Sequence, residues 1–330
     1  MGAIRVCLFS ALFAATALAG CGAPGDHPQD CSALQAFALS LDVGSWARRT
    51  RWLSSASICT WFGVSCAGGR VTGIALQRNN LKGALPASLG DLTHLESLQL
   101  DGDRPASYAG CSSTDLQYSA LPPSFYTLSR LQVFSAEDAC LGGTLADGAA
   151  GVGALAALTN FSIHQNRVGG PFPSGFNSAA GLRVLKLDRN PITGSVPLFT
   201  GWGAALHTFD CNFCSLTGPF PALNFSKLAG LTQLYFDGNL FTSLPATLGD
   251  ARNLQEVSFN INNIRGAFPD SLCALKGLTD CRVGAGTSCA QYQACYPWVV
   301  ASNASGNLYS CPLPAQCGAC DDPNWPLKCE

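Results

Sequence analysis

Apolar residues along this chain fall into one motif that returns again and again. Leu182, Leu185 and Leu187 lead into Asn190, Ile192, Gly194, Val196 and Pro197. The same order of residue types reappears as Val71, Ile74, Leu76, Asn79, Leu81, Gly83, Leu85 and Pro86. It returns as Leu158, Phe161, Ile163, Asn166, Val168, Gly170, Phe172 and Pro173, and again as Leu254, Val257, Phe259, Asn262, Ile264, Gly266, Phe268 and Pro269. Repeats with one or two departures start at Leu95, Leu131, Leu206 and Leu231, and a truncated one at Leu278. Successive starts lie 24, 36, 27, 24, 24, 25, 23 and 24 residues apart. A period this regular marks one elongated stack of similar units rather than one or two compact domains.

Each position in the unit has a physical job. Alternation around the second and third apolar positions predicts a short strand, and stacked strands pair in parallel into one concave sheet. The asparagine closing the strand turns its amide inward and satisfies backbone groups that the bending chain would bury unpaired. Glycine and proline shape the return path. No unit buries its apolar face alone, so stability comes from stacking. Nine coils at about 4.8 Å give a sheet roughly 40 Å long.

The return segment Asn79-Asn80-Leu81-Lys82-Gly83-Ala84-Leu85-Pro86 is similar to the plant-specific class of leucine-rich repeats. The resemblance covers residues 31 to about 283. It implies an α/β repeat solenoid: a right-handed superhelix with a concave parallel β-sheet, an N-terminal helical cap and a Cys-rich C-terminal cap. Cys214 stands where the repeat from Leu206 should carry asparagine, a substitution the general repeat pattern tolerates. Near the start, Leu34, Phe37, Ala38 and Leu41 have helical spacing, with Asp30 or Ser32 placed to cap the helix. Trp52 and the stretch from Cys59 to Cys66 resemble the N-terminal cap of plant extracellular repeat proteins, which implies that Cys59 and Cys66 bond to each other. The expected organisation is a signal peptide over 1–19, a cap over 20–70, repeats over 71–283 with an inserted loop at 104–119, and a Cys-rich cap over 284–330.

Composition narrows the setting. Only 12% of residues are charged and the net charge is −2, which gives no reason to expect nucleic acid or an acidic membrane surface as partner. The apolar run Val6 to Leu18 followed by Ala17-Leu18-Ala19 reads as a secretory signal, too short for a membrane span. Leu18-Ala19-Gly20-Cys21 also matches a lipoprotein box, which would anchor the chain through Cys21. Cleavage after Ala19 removes Cys7 and leaves an even 16 of the 17 cysteines, which favours a secreted, oxidised protein. The pairs Cys211/Cys214 and Cys317/Cys320 have zinc-like spacing, but that compartment favours disulfides, so neither metal nor cofactor is expected. Cys111 in the inserted loop and Cys140 in the next repeat are expected to bond.

No nucleophile elbow, phosphate loop or metal-binding helix motif occurs, and the expectation is a non-enzymatic protein. The outward strand positions carry the candidate chemistry. One column includes Asp101, Glu137, His164, Asp188 and Asp237; its neighbours supply Asp138, Phe213, Asp210 and Tyr235. Together they suggest an acidic and aromatic groove for a basic or hydroxyl-rich ligand. Three Asn-x-Ser sequons, at Asn160, Asn224 and Asn303, are candidate glycosylation sites, and a glycan on Asn160 would obstruct part of the groove. The resemblance extends to receptor-kinase ectodomains and polygalacturonase-inhibiting proteins. It implies a monomeric secreted recognition protein for an extracellular protein, peptide or cell-wall glycan. Inhibition of a secreted cell-wall hydrolase and a structural role in a wall or matrix are the alternatives.

Overall fold

Strands of three to six residues, one per repeat, line up side by side in a single sheet. We number the coils by these strands: Arg70–Ala75 (coil 1), Ser97–Gln99 (2), Val133–Ser135 (3), Asn160–Ser162 (4), Val184–Lys186 (5), Thr208–Asp210 (6), Gln233–Tyr235 (7), Glu256–Ser258 (8) and Asp280–Arg282 (9). The structure, a computed structural model, describes residues 23–102, 116, 119–266, 269, 271, 275, 280–282 and 308–309. The signal segment, Cys21, most of the 104–119 insertion including Cys111, and nearly all of the 284–330 tail including Asn303 lie outside the described residues.

All nine strands pair in parallel, and a tenth, Val64–Ala67, opens the sheet as an antiparallel partner of coil 1. Gly68 and Gly69 make that reversal in the left-handed region, at φ 57° and 75°. The register is strict. Ile74, Leu98, Phe134, Phe161, Leu185, Phe209, Leu234 and Val257 stand opposite one another from coil to coil and are all buried. Coil 3 therefore pairs with coil 2 in register despite the long interval between them. Phenylalanines stack through the interior, with centroids 5.2 Å apart for Phe134 and Phe161 and 4.8 Å for Phe209 and Phe236. Each such fully buried side chain stabilises by about 1.5–3 kcal/mol. Beyond the turn, coils 4 to 7 form a second parallel sheet from Gly170–Pro171, Ile192–Gly194, Ser215–Pro219 and Leu240–Ser243.

The inward asparagines link coil to coil. Asn190 Nδ2 donates to Leu187 O and Asp188 O in its own coil and to Ile163 O in the preceding one, while its Oδ1 accepts from Val168 N at 2.9 Å. Asn166, Asn239 and Asn262 repeat this geometry. Asn79 ties coil 1 to the cap instead, exchanging bonds with the Arg48 backbone at 2.6 and 2.9 Å. Coil 6 departs: Cys214 is bonded to Cys211, with their Cα atoms 5.9 Å apart. The donor that an asparagine there would receive, Ile192 N, turns to Asn190 O at 2.8 Å.

At the N-terminus, the helix Pro28–Ser40 buries Leu34, Phe37 and Ala38 against Trp46 and Trp52. Its capping corrects the expectation. The helix begins with Pro28 after His27, without a side-chain cap, so Asp30 and Ser32 both lie inside it. Proline needs no N–H partner at that place. Asp30 instead reaches across to coil 1, where its buried carboxylate accepts from Arg70 Nη2 at 2.9 Å and Val71 N at 2.7 Å. Ser32 donates to Pro28 O. The Cys59–Cys66 disulfide closes the cap, with a Cα separation of 5.5 Å.

Candidate functional site

The concave face inherits its layout from the strand register. In each coil the residue after the third apolar position points outward, and in coils 2 to 5 and 7 that residue is Asp101, Glu137, His164, Asp188 and Asp237. The side chains of Asp101, Glu137, His164 and Asp237 reach into the next coil, whereas Asp188 reaches back to His164 and is buried, against the expectation of an exposed group. Asp101 accepts from the Ser135 hydroxyl and from Glu137 N at 3.0 Å. Glu137 accepts from Ser162 Oγ, and Asp237 from Ser258 Oγ and from Asn260 N at 2.6 Å. In coil 6, Asn212 takes the same place and accepts from Asp237 N at 2.6 Å. These side chains staple coil 2 to 3, 3 to 4, 6 to 7 and 7 to 8, so the acidic column is partly structural.

At the centre of the face the staple changes character. His164 Nδ1 is hydrogen-bonded to Asp188 Oδ2, and Asp188 is buried. The Asp188 bond raises the His164 pKa against the lowering effect of burial. Asp210 in the next coil accepts from Asn212 N at 3.0 Å. Burial, and then the like charge of Asp188, push Asp210 up to about 7, although the Asn212 bond and Lys186 oppose the rise. Tyr235 is half-buried and its hydroxyl donates to Glu256, a residue outside the sequence-derived set. Asp138 is half-buried where the chain leaves the strand, and its N–H donates to His164 O at 2.9 Å.

Phe213 sits at that same exit position in coil 6 and is exposed. The Arg189 guanidinium carbon lies 4.9 Å from its ring centroid. Arg189 shares the exit position with Asp138 and Phe213 but was not among the sequence-derived candidates; Leu240, on the return segment, gave no signal. Of the sequons, Asn160 is half-buried on the concave strand of coil 4, and Asn224 is exposed on the return side. Cys140 is disulfide-bonded, and its partner lies outside the described residues. Among the described residues no group of three or more histidine, cysteine or acidic side chains could hold a metal ion, and no helix is long and apolar enough to cross a membrane.

Comparison with known proteins agrees with this geometry. Residues 27–67 match the family described as the leucine rich repeat N-terminal domain. Over 262 residues the chain is 26% identical to Receptor-like protein 6 of Arabidopsis thaliana, covering 74% of this chain and 24% of that protein. A solved structure of Pollen Receptor Kinase 3 superposes with a TM-score of 0.51 at 25% identity, over 64% of this chain and 96% of that one. A plant ice-binding protein superposes with a TM-score of 0.56 at 21% identity, over 88% and 98% of the two chains, a likeness of fold. The chain spans about a quarter or less of the length of the relatives it matches in sequence. The fold is a leucine-rich-repeat solenoid, and the chain resembles plant extracellular proteins of that architecture.

Proposed function

We propose that the chain is an extracellular, non-enzymatic recognition protein that binds a protein, peptide or glycan on the concave face of coils 4 to 8. One observation carries this reading. The outward side chains there are fixed by bonds from coil to coil, including His164 to Asp188, Tyr235 to Glu256 and Ser258 to Asp237. A broad polar surface held in place before contact loses little side-chain freedom on binding, which is what affinity on a shallow face requires. The similarity to receptor-like proteins supports the same reading, and oxidised cysteines suit an extracellular setting.

The test is capture by the purified protein from extracellular extract and on a glycan array, run beside a K186A/Y235A variant. These two residues line the face without stapling the backbone, so the variant should fold. A partner retained by the wild type and lost by the variant is the expected result. Equal capture by both, or retention of the protein only in an insoluble wall fraction, would remove the recognition reading and favour a structural one.

A further inference from the structure

On the return side of coils 5 to 7 lies a groove of about 400 Å³, lined by Leu198, Thr200, Asn224, Lys227, Thr247 and Asp250. That volume falls among small-ligand sites, which run to roughly 300–1,000 Å³. Leu198 is 61% exposed, the highest value for a large apolar side chain among the described residues. The turn does not ask for it. After the closing proline, coils 1, 4, 6, 7 and 8 carry Ala87, Ser174, Ala222, Ala246 and Asp270, all small or polar. Leucine at that place in coil 5 therefore serves the groove rather than the repeat.

Asn224 stands in the wall of the same groove and opens the sequon Asn224-Phe225-Ser226. It precedes the short helix Phe225–Lys227, a place where asparagine ordinarily accepts a bond from a backbone N–H of the first turn. Here it makes no such cap. Its Oδ1 accepts from Ser226 Oγ at 2.8 Å, and its Nδ2 has no partner among the described residues. Asn190 and Asn253 show what the fold does with an amide it needs: Nδ2 of each donates to a carbonyl of the preceding coil. Thus the one coil with a large apolar residue after its proline is followed by the one coil with a sequon on its return segment.

We infer that Asn224 carries an N-linked glycan and that the groove is the cradle of its first sugars. The C–H face of a ring lies over Leu198, and ring hydroxyls meet Lys227 and Thr247. Asp250, which lies 3.7 Å from Arg252, closes the far end. Attachment takes place on the nascent chain, with a lipid-diphosphate oligosaccharide as the sugar donor. Nδ2 of Asn224 attacks the anomeric carbon, the C–O bond to the diphosphate breaks, the C–N bond forms, and the amide gives up one proton. Single sugar contacts are weak, but a tethered sugar is held beside its site at high effective concentration. The inference takes from the recognition reading only the extracellular setting, because the groove is on the return side and the proposed ligand face is concave.

Secretion of the intact chain from a eukaryotic host, followed by glycopeptide mass spectrometry, tests attachment, and hydrogen exchange tests the cradle. Asn224 should be occupied. Removing the glycan from the folded protein with an amidase, which leaves Asn224→Asp, should speed exchange at 198–200 and 222–227 about threefold or more and leave coils 1 to 3 unchanged. N224Q supplies the same comparison without enzyme treatment. An endoglycosidase that spares the first sugar should leave part of the protection in place. L198S changes an exposed residue and should fold and carry the glycan, yet gain less protection from it. Capture on the concave face should be equal with and without the glycan, so the two readings fail separately. An unoccupied Asn224 overturns the proposal. So does an occupied one whose glycan slows no exchange in the groove, or whose protection L198S leaves intact.

Discussion

Asp210 sits between neighbours that pull its charge in opposite directions, Asp188 repelling it and Lys186 attracting it. Its ordinary value is 3.8 and the fold moves it to about 7, so over that interval the folded chain holds a proton the unfolded chain has released. The resulting stabilisation is complete below the unfolded value and is lost as pH rises towards about 7. His164 acts in the same direction. Its raised pKa gives stability that is full below the ordinary 6.5 and lost as pH climbs through the folded value. The melting temperature should therefore be higher at pH 5.5 than at pH 8, and D210N should flatten the difference. A melting temperature that is unchanged or higher at pH 8 would contradict this assignment. The staples at Asp101 and Asp237 matter for experiments too. Charge reversal there would break backbone bonds as well as any ligand contact, which is why Lys186 and Tyr235 serve better as probes of the face.

At the level of single elements, coil 6 exchanges an asparagine for a local disulfide. The buried asparagines each satisfy a backbone N–H and several carbonyls, and losing such a partner costs about 1–3 kcal/mol. N239A should lower the urea-unfolding free energy by that amount. The loop closed by Cys211 and Cys214 is so short that its chain-entropy contribution is about 2 kcal/mol. The two devices are similar in size, so C211V/C214N should stay within roughly 1.5 kcal/mol of the wild type in the same urea titration. A loss of several kcal/mol would mean that the disulfide does more than stand in for asparagine. The period made these elements legible: strands, inward asparagines and exit turns all follow from the spacing of Leu182, Leu185, Leu187 and Asn190. The staples did not follow, because Asp101 meets Ser135 across 34 residues and the pairing depends on register rather than on local pattern. Asp30 misled for the same reason. Its local position suggested a helix cap, while its partners Arg70 and Val71 lie 40 and 41 residues away.

Across the whole molecule, each coil touches only its neighbours and the caps, so damage should stay local. The N-terminal cap is joined to coil 1 by the Asp30–Arg70 pair and to the first turn by Asn79, and is closed by Cys59–Cys66. D30A would strand a partly buried guanidinium, a break that costs about 3–5 kcal/mol. Hydrogen exchange of that variant should accelerate in the helix and coil 1 and leave coils 6 to 8 close to wild type. Uniform acceleration along the chain would show a more global cooperativity than nearest-neighbour stacking allows. The same local logic explains what the sequence revealed of the candidate site. Repetition exposed the columns, and only the folded register distinguished a carboxylate spent on the backbone from one turned to solvent.

The asparagine bonds join coils 3 to 4, 4 to 5, 6 to 7 and 7 to 8. Ala139 and Cys214 occupy the asparagine place in coils 3 and 6, but Asp101 still bonds coil 2 to coil 3, whereas coils 5 and 6 are joined by sheet bonds, apolar contact and the Arg189–Phe213 pair. Under tension the seam between coils 5 and 6 is the weakest of the junctions from coil 2 to coil 8. A solenoid drawn from its ends would part there first, leaving the coils on either side as intact links, much as a chain of unequal rivets fails at a joint rather than along the plates.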